Sequence, residues 1–394
     1  MTANHETTPL RRPGALRLAL LLSLISLFCA HRGFSQAAAA KPAPDLIVFT
    51  NGDQLTGTLE KAVGDSFVFK SDIVGEVTVS ADKIKELRAG GNFVALKKNE
   101  QITRTSKQPG AVTYSDSVIN VAPTSSSAPE TIPVKELAYL IDAATYNKEV
   151  TSNPNFLHGW NGSISGGDTT VQSTDSGQTF NAAINLVRAI PSVPFLPART
   201  RTTFDLLETY GKLTTPTVPQ TTPPTPDAVA KTNIFHADAE HDKYLAPRFY
   251  ALVGTSFDHN FSQGLNFQQI YGAGVGWTAI MDAKQELDVK ADVHYEKQNF
   301  QPPTVSENLI GSTFAEIYHR TLPAKMIFTE SGSYIAAWNN LSAYSAIGAA
   351  GLQLPVYKRF SLNVNVLDNY LHNPAIGFNN NSFQFVTGIL YTLR

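Results

Sequence analysis

Glu286, Asp288, Lys290, Asp292, His294 and Glu296 occupy alternate positions of one stretch, and paired carboxylates beside a histidine are residue types that can exchange protons with a substrate. His236, Asp238, Glu240 and Asp242 repeat the spacing, and their oxygens and imidazole suit a hard or borderline cation. A period of two sends every member of each set to one face of a β-strand. Such a row is also what the wall of a water-filled barrel presents, and the rest of the chain selects that reading. The sequence holds no Gly-x-Ser-x-Gly, no His-Glu-x-x-His and no phosphate-binding loop. Gly272, Gly274 and Gly276 share the spacing of a dinucleotide loop, but no helix follows them, so they read as glycines on one side of a crowded wall. No residue is therefore assigned a catalytic, cofactor-binding or metal-binding role. Glu286, Asp288, Lys290, Asp292 and His294 are assigned to a lumen.

The stretch 284–295 that carries the first row places Leu287, Val289, Ala291, Val293 and Tyr295 on its other face. That apolar face would meet a second sheet in a soluble sandwich and lipid in a transmembrane barrel. From residue 157 onward the period-two rule yields about twelve such strands. They are 157–166, 178–187, 200–211, 232–241, 249–257, 265–280, 284–295, 309–320, 325–336, 343–354, 360–371 and 383–393. Their connections alternate in length. One set (167–177, 212–231, 258–264, 296–308, 337–342, 372–382) is long or medium, whereas the other (189–199, 242–248, 281–283, 321–324, 355–359) is shorter and mostly tight. Long loops outside the cell and tight turns inside are the habit of bacterial outer-membrane barrels, and a soluble sandwich has no reason to alternate in this way. Aromatic residues, among them Trp160, Phe180, Tyr210, Phe249, Tyr250, Tyr271, Trp277, Tyr295, Tyr334, Phe360 and Tyr391, gather in or near strands, as interfacial girdles require. The final stretch resembles a closing barrel strand, although it ends in Arg394 and not in an aromatic residue.

Upstream, Arg11, Arg12 and Arg17 precede an apolar run at 18–30 and a small-residue stretch around Ala37, so residues 1–37 read as a cleaved secretory signal. The run is too short to span a bilayer as a helix, which takes about 20 residues. Cys29, the sole cysteine, lies within it, so the remaining chain would hold neither a disulfide nor a thiolate site. Loss of this segment removes four arginines (11, 12, 17 and 32) and Glu6, which takes the formal net charge from −2 to −5. No basic cluster remains to bind nucleic acid. Charged residues make up only 16% of the chain, as suits a barrel that is apolar outside and hydrophilic within.

After an Ala/Pro linker, short strands with turn signals fill 45–89 and end in a helical turn over 80–87 with Ser80 as its cap. Asp53-Gln-Leu-Thr-Gly-Thr is echoed by Glu100-Gln-Ile-Thr-Arg-Thr, and Thr78-Val79 with Ile84 and Leu87 by Thr131-Ile132 with Leu137 and Leu140. Two tandem SH3-like β-modules, 45–89 and 92–142, are the expectation. They precede an all-β antiparallel barrel at 155–394.

The module Asn51-Gly-Asp-Gln-Leu-Thr-Gly-Thr-Leu-Glu-Lys61 ending Ile84-Lys-Glu-Leu87, with the barrel stretches Tyr250-Ala-Leu-Val-Gly-Thr-Ser-Phe-Asp258 and Tyr271-Gly-Ala-Gly-Val-Gly-Trp277, resembles the salt-induced outer membrane protein family, domain of unknown function 481. The resemblance implies an outer-membrane location and supplies no catalytic residues. The expected molecule is a non-enzymatic barrel of the bacterial envelope with a structural or narrow-pore role. Its partners would be outer-membrane lipid, the barrel assembly machinery and an envelope component bound by periplasmic modules. The alternative is a barrel-embedded enzyme acting on lipid or glycan.

Overall fold

Residues 45–142 hold short β-branched and aromatic runs broken by Gly, Asp and Asn, a composition that makes short strands with tight turns. The computed structural model describes residues 44–98, 100, 107–123, 128–152, 154–172, 176–215, 226–282 and 284–393. The signal segment 1–37, Cys29, most of the linker, the 101–106 part of the first echo and Arg394 lie outside the described residues. The first half of the N-terminal domain comprises β1 (Asp45–Phe49), β2 (Gln54–Val63), β3 (Ser66–Ser71), β4 (Gly75–Ser80) and β5 (Ile84–Lys97). The second comprises β6 (Gly110–Ser115), β7 (Val118–Pro123), β8 (Glu130–Pro133) and β9 (Leu137–Asp142). Both halves contain a two-residue hairpin, with Val63 opposite Ser66 and Ser115 opposite Val118. Both also place one 3₁₀ turn, Ala81–Lys83 or Val134–Glu136, before their last strand.

The halves share a sheet. β5 pairs with β1 and β6 through its first part and with β9 through its last, while β9 also pairs with β2. A single apolar cluster joins Ile47, Leu59, Phe67 and Leu87 to Val112, Ile119, Ile132 and Leu140. The helical turn expected over 80–87 shrinks to 81–83, and Ser80 makes no side-chain cap. Ile84 and Leu87 are strand residues instead, because β5 finds a pairing partner on each side.

Twelve described strands then close into an antiparallel barrel: β10 (Trp160–Gln172), β11 (Ser176–Ile190), β12 (Thr200–Thr215), β13 (Ala228–Ala246), β14 (Phe249–Asn260), β15 (Leu265–Met281), β16 (Gln285–Phe300), β17 (Glu307–Thr321), β18 (Ile327–Ala337), β19 (Tyr344–Tyr357), β20 (Phe360–Leu371) and β21 (Asn381–Thr392). Closure comes from β10 pairing with β21, which leaves no sheet edge. All the strands read from the alternation are present, and one, Phe360–Leu371, has the expected bounds. Others extend further. β10 and β11 reach Gln172 and Ser176, so the first connection is far shorter than 167–177.

Most outward positions are apolar, with Val253 60% and Ile389 59% exposed, although Glu208, Glu316 and Glu330 share that face, and two belts of aromatics ring it. Trp160, Phe249, Trp277, Tyr318, Phe360 and Tyr391 lie towards the end that carries the N-terminal domain; Phe180, Tyr210, Tyr271, Tyr295, Tyr334 and Phe383 lie towards the other. Tyr250 is the exception among the expected girdle residues. It points inward and is fully buried, for a reason that the lumen supplies.

The turns 247–248, 282–284, 322–326 and 358–359 at the domain end are tight, but 191–199 is not. This connection is Pro191-Ser-Val-Pro-Phe-Leu-Pro-Ala-Arg199, and its length is explained by what it touches. Leu196, Val193 and Phe195 pack on Val94, Leu96 and Ile141 of the N-terminal domain and on Tyr146 and Val150 of the helical segment that follows it, α1 (Ala143–Tyr146) with its continuation Asn147–Thr151. Glu149 Oε2 accepts hydrogen bonds from Ser192 N at 2.8 Å and Ser192 Oγ at 2.7 Å, and Arg199 Nη1 donates to Val150 O at 2.8 Å. Lys61 Nζ lies 4.6 Å from the centre of the Phe195 ring.

Burial alone would raise the Glu149 carboxyl, but the Ser192 hydrogen bonds and the adjacent Lys148 outweigh it and hold the group below the ordinary glutamate range. A carboxyl lowered in the folded state stabilises it above the unfolded-state value and loses that contribution as pH falls through the folded value. Docking of 191–199 should therefore be undiminished at neutral pH and weaken in acid below the ordinary glutamate range. Amide hydrogen exchange across 143–151 is the measurement, and a Glu149→Gln protein should lack the acid-dependent rise. Equal acid sensitivity in both proteins would refute the assignment.

Candidate functional site

Cross-strand partners share a face, so the register of the barrel fixes which side chains meet in the lumen. Along β16, Glu286, Asp288, Lys290, Asp292, His294 and Glu296 all point inward, where the alternation put them. They are joined by Arg201 and Asp205 of β12, His236, Asp238, Glu240 and Asp242 of β13, and Asp258 of β14. The two polar rows thus belong to one charged sector, β12 to β16. Facing it is a neutral wall of Ser163, Ser165, Asn181, Ser331, Ser333, Asn363, Asn365 and Gln384 with Gly351 and Gly388.

At the domain end the charged sector is organised by Arg201, which reaches across β13, β14 and β15 to β16. Its Nε lies 2.8 Å from Asp242 Oδ2, Nη2 2.7 Å from Asp288 Oδ2 and Nη1 3.3 Å from Glu286 Oε1. Thr278 Oγ1 donates to the other oxygen of Asp288 at 2.6 Å. The guanidinium passes over Tyr250, 5.1 Å from the ring centre, and within 5.9 Å of Tyr244. Tyr250 in turn lies flat against Gly276, where a Cβ would collide with its ring. Asp292 and His294 crowd Gly272 less severely, their nearest atoms 3.1 and 3.2 Å from where a Cβ would sit. The inward glycines accommodate neighbouring side chains and do not open a space, so this wall is filled.

Further along, Lys290 Nζ pairs with Glu240 Oε1 at 2.6 Å. His236 bridges Asp258 (Nδ1, 2.6 Å) and Asp238 (Nε2, 3.1 Å), so both of its ring nitrogens are engaged. His294 Nδ1 contacts both Asp292 Oδ1 (2.9 Å) and Thr313 Oγ1 (3.2 Å). Its Nε2 faces Glu296 Oε2 at 3.8 Å, and Gln268 and Gln298 donate to Glu296 Oε1. Hydroxyl and carboxylate meet the same ring nitrogen, which is not the arrangement in which an imidazole relays a proton between them. Among the described residues, no three acidic or histidine groups converge in a way that could hold a metal ion.

Arg201 carried no sequence signal, being one arginine at the start of a strand. Its partners lie 41, 85 and 87 residues away in the chain, a span that no local pattern covers.

Residues 198–393 match the model of a family described as a protein of unknown function, DUF481. No curated protein matches the chain. Among solved structures, the chain is similar to the translocator domain of the autotransporter NalP from Neisseria meningitidis, with 10% identity, a TM-score of 0.30, and 63% of this chain and 92% of that one covered. It is also similar to the β domain of the Bordetella autotransporter BrkA, with 11% identity, a TM-score of 0.27, and 60% and 98% covered.

Proposed function

We propose that this chain, whose residues 198–393 belong to the DUF481 family, is a non-enzymatic outer-membrane barrel with a narrow passage that favours cations. The N-terminal domain and the turn 191–199 face the periplasm, where the domain is available to an envelope component. The observation that carries the reading is the inward charge. Asp205, Asp238, Glu240, Asp242, Asp258, Glu286, Asp288, Asp292 and Glu296 face the lumen, against Arg201 and Lys290 among the described strand residues. A wall of net negative charge within a low-dielectric shell concentrates counter-ions. Filling of the glycine-bearing wall keeps the passage narrow, and a barrel of this strand number lies between side-chain-filled and open porin sizes.

In planar bilayers under a salt gradient, the expected result is small conductance steps whose reversal potential has the sign of cation preference. Asp205→Asn with Asp258→Asn should reduce that preference. A large unselective conductance, or an anion-selective one, would overturn the reading. The protein should also migrate as a heat-modifiable band after detergent extraction from outer membranes. A lipid- or glycan-cleaving enzyme would require one inward Ser or His whose substitution abolishes lipid release, and the His294 geometry gives that alternative no support.

A further inference from the structure

We infer that the N-terminal domain latches the passage shut by gripping the 191–199 connection, which positions Arg201 as a bar across the periplasmic mouth. The inference rests on the narrow-passage reading and adds its regulation. Three observations connect the domain to the bar. Leu196 is buried among Val94, Leu96, Ile141, Tyr146 and Val150, so the middle of the connection is held by the domain. At its two ends, Ser192 is fixed by Glu149 and Arg199 by Val150 O. Arg199 is two residues before Arg201, and its backbone bonds both ways: its N–H donates to Ile190 O at 2.6 Å and its carbonyl accepts from Tyr244 N at 2.9 Å. The barrel ladders set the register that sends Arg201 over Tyr250 to Asp288, and the domain grips the segment that feeds directly into it, through Ser192, Leu196 and the Arg199 side chain.

Arg201 crosses the charged sector as a chord from β12 to β16 and not along one strand, so a small shift at its base moves the whole guanidinium. If the domain is drawn away, by load or by a bound envelope component, the connection loses its apolar seat and the bar loses its anchor. The carboxylates left behind then draw cations into an unobstructed mouth. The same side chain thus serves as plug and as counter-charge.

The test compares single-molecule conductance of the full chain in planar bilayers for the native protein, Leu196→Asp, Arg201→Gln and the two combined, each first shown to be folded by heat-modifiable mobility. Leu196→Asp and Arg201→Gln should each raise mean conductance several-fold, and the combination should match Arg201→Gln alone. A second handle guards against misfolding of Leu196→Asp: Glu149→Cys with Ser192→Cys, joined by a disulfide or a short thiol cross-linker. It should stay at the native level when joined and rise when the link is a disulfide that is then reduced. If Arg201→Gln conducts more but Leu196→Asp and the reduced pair do not, the latch is overturned and the passage stands. An additive double variant overturns it as well, because bar and latch would then act separately. Absence of conductance in every protein, Arg201→Gln included, would overturn both the passage and its latch.

Discussion

Arg201→Ala is expected to lower barrel stability by about 3–5 kcal/mol, the range for removing one partner of a buried ion pair and leaving its counter-charge behind. Asp242 and Asp288, whose side chains are 1% and 5% exposed, would be left as uncompensated anions, and Tyr250 would lose the cation over its ring. The check is the denaturant midpoint of the barrel in detergent or lipid vesicles. Arg201→Ala combined with Asp242→Asn and Asp288→Asn should recover much of the loss, since the penalty lies in charges left unpaired and not in the absent contact. A triple variant as unstable as Arg201→Ala alone would show that Arg201 acts through packing of its stem. Either result leaves the conductance experiments interpretable, because both are read on folded protein.

Gly276→Ala is expected to have the next largest effect. The Tyr250 ring occupies the space that the new methyl needs, and overpacking of this kind typically costs about 1–3 kcal/mol. Tyr250 cannot retreat easily, because it is fully buried and capped by Arg201. In a Tyr250→Leu background the same substitution should be much milder, and this non-additivity is the diagnostic result. Gly348→Ala is the control, since an added Cβ there meets nothing within 4 Å and should leave stability nearly unchanged. Equal losses at Gly276 and Gly348 would mean that backbone freedom, not the ring, dictates glycine at 276.

The barrel was legible in the sequence because lipid on one side and water on the other impose a period of two on each strand. Where that contrast ends, so does the signal. The extension of β13 from the expected 232–241 to Ala228–Ala246 runs through residues whose two faces differ little; pairing with β12 extends its start, and pairing with β14 carries its end to Ala246. The lumen row of β16 was legible for the same reason as the strand. Its partners were not, because Lys290 meets Glu240 and Glu286 meets Arg201 only after intervening strands have wound around the barrel. Tyr250 was misplaced among the girdle aromatics because composition favours an interfacial tyrosine, whereas Gly276 opposite makes an inward one fit. In the N-terminal domain, the echoes showed two similar halves but not that β5 would serve both. A repeat reports local likeness, and strand exchange between copies leaves each copy's local pattern unchanged.

The seat for 191–199 also has a consequence for the order of biogenesis. The N-terminal domain is synthesised first, and under the proposed periplasmic placement it would cross the membrane before β11 and β12 exist as a paired hairpin. Until they do, Val94, Leu96 and Ile141 have Tyr146 and Val150 packed on them but not Leu196, Val193 or Phe195, so part of the apolar seat is uncovered. The domain would travel as a client for a holding chaperone, and its release would await insertion of the barrel. Membrane insertion and final maturation of the soluble part would then be one event, so an assembly-stalled barrel should be betrayed by a protease-sensitive N-terminal domain.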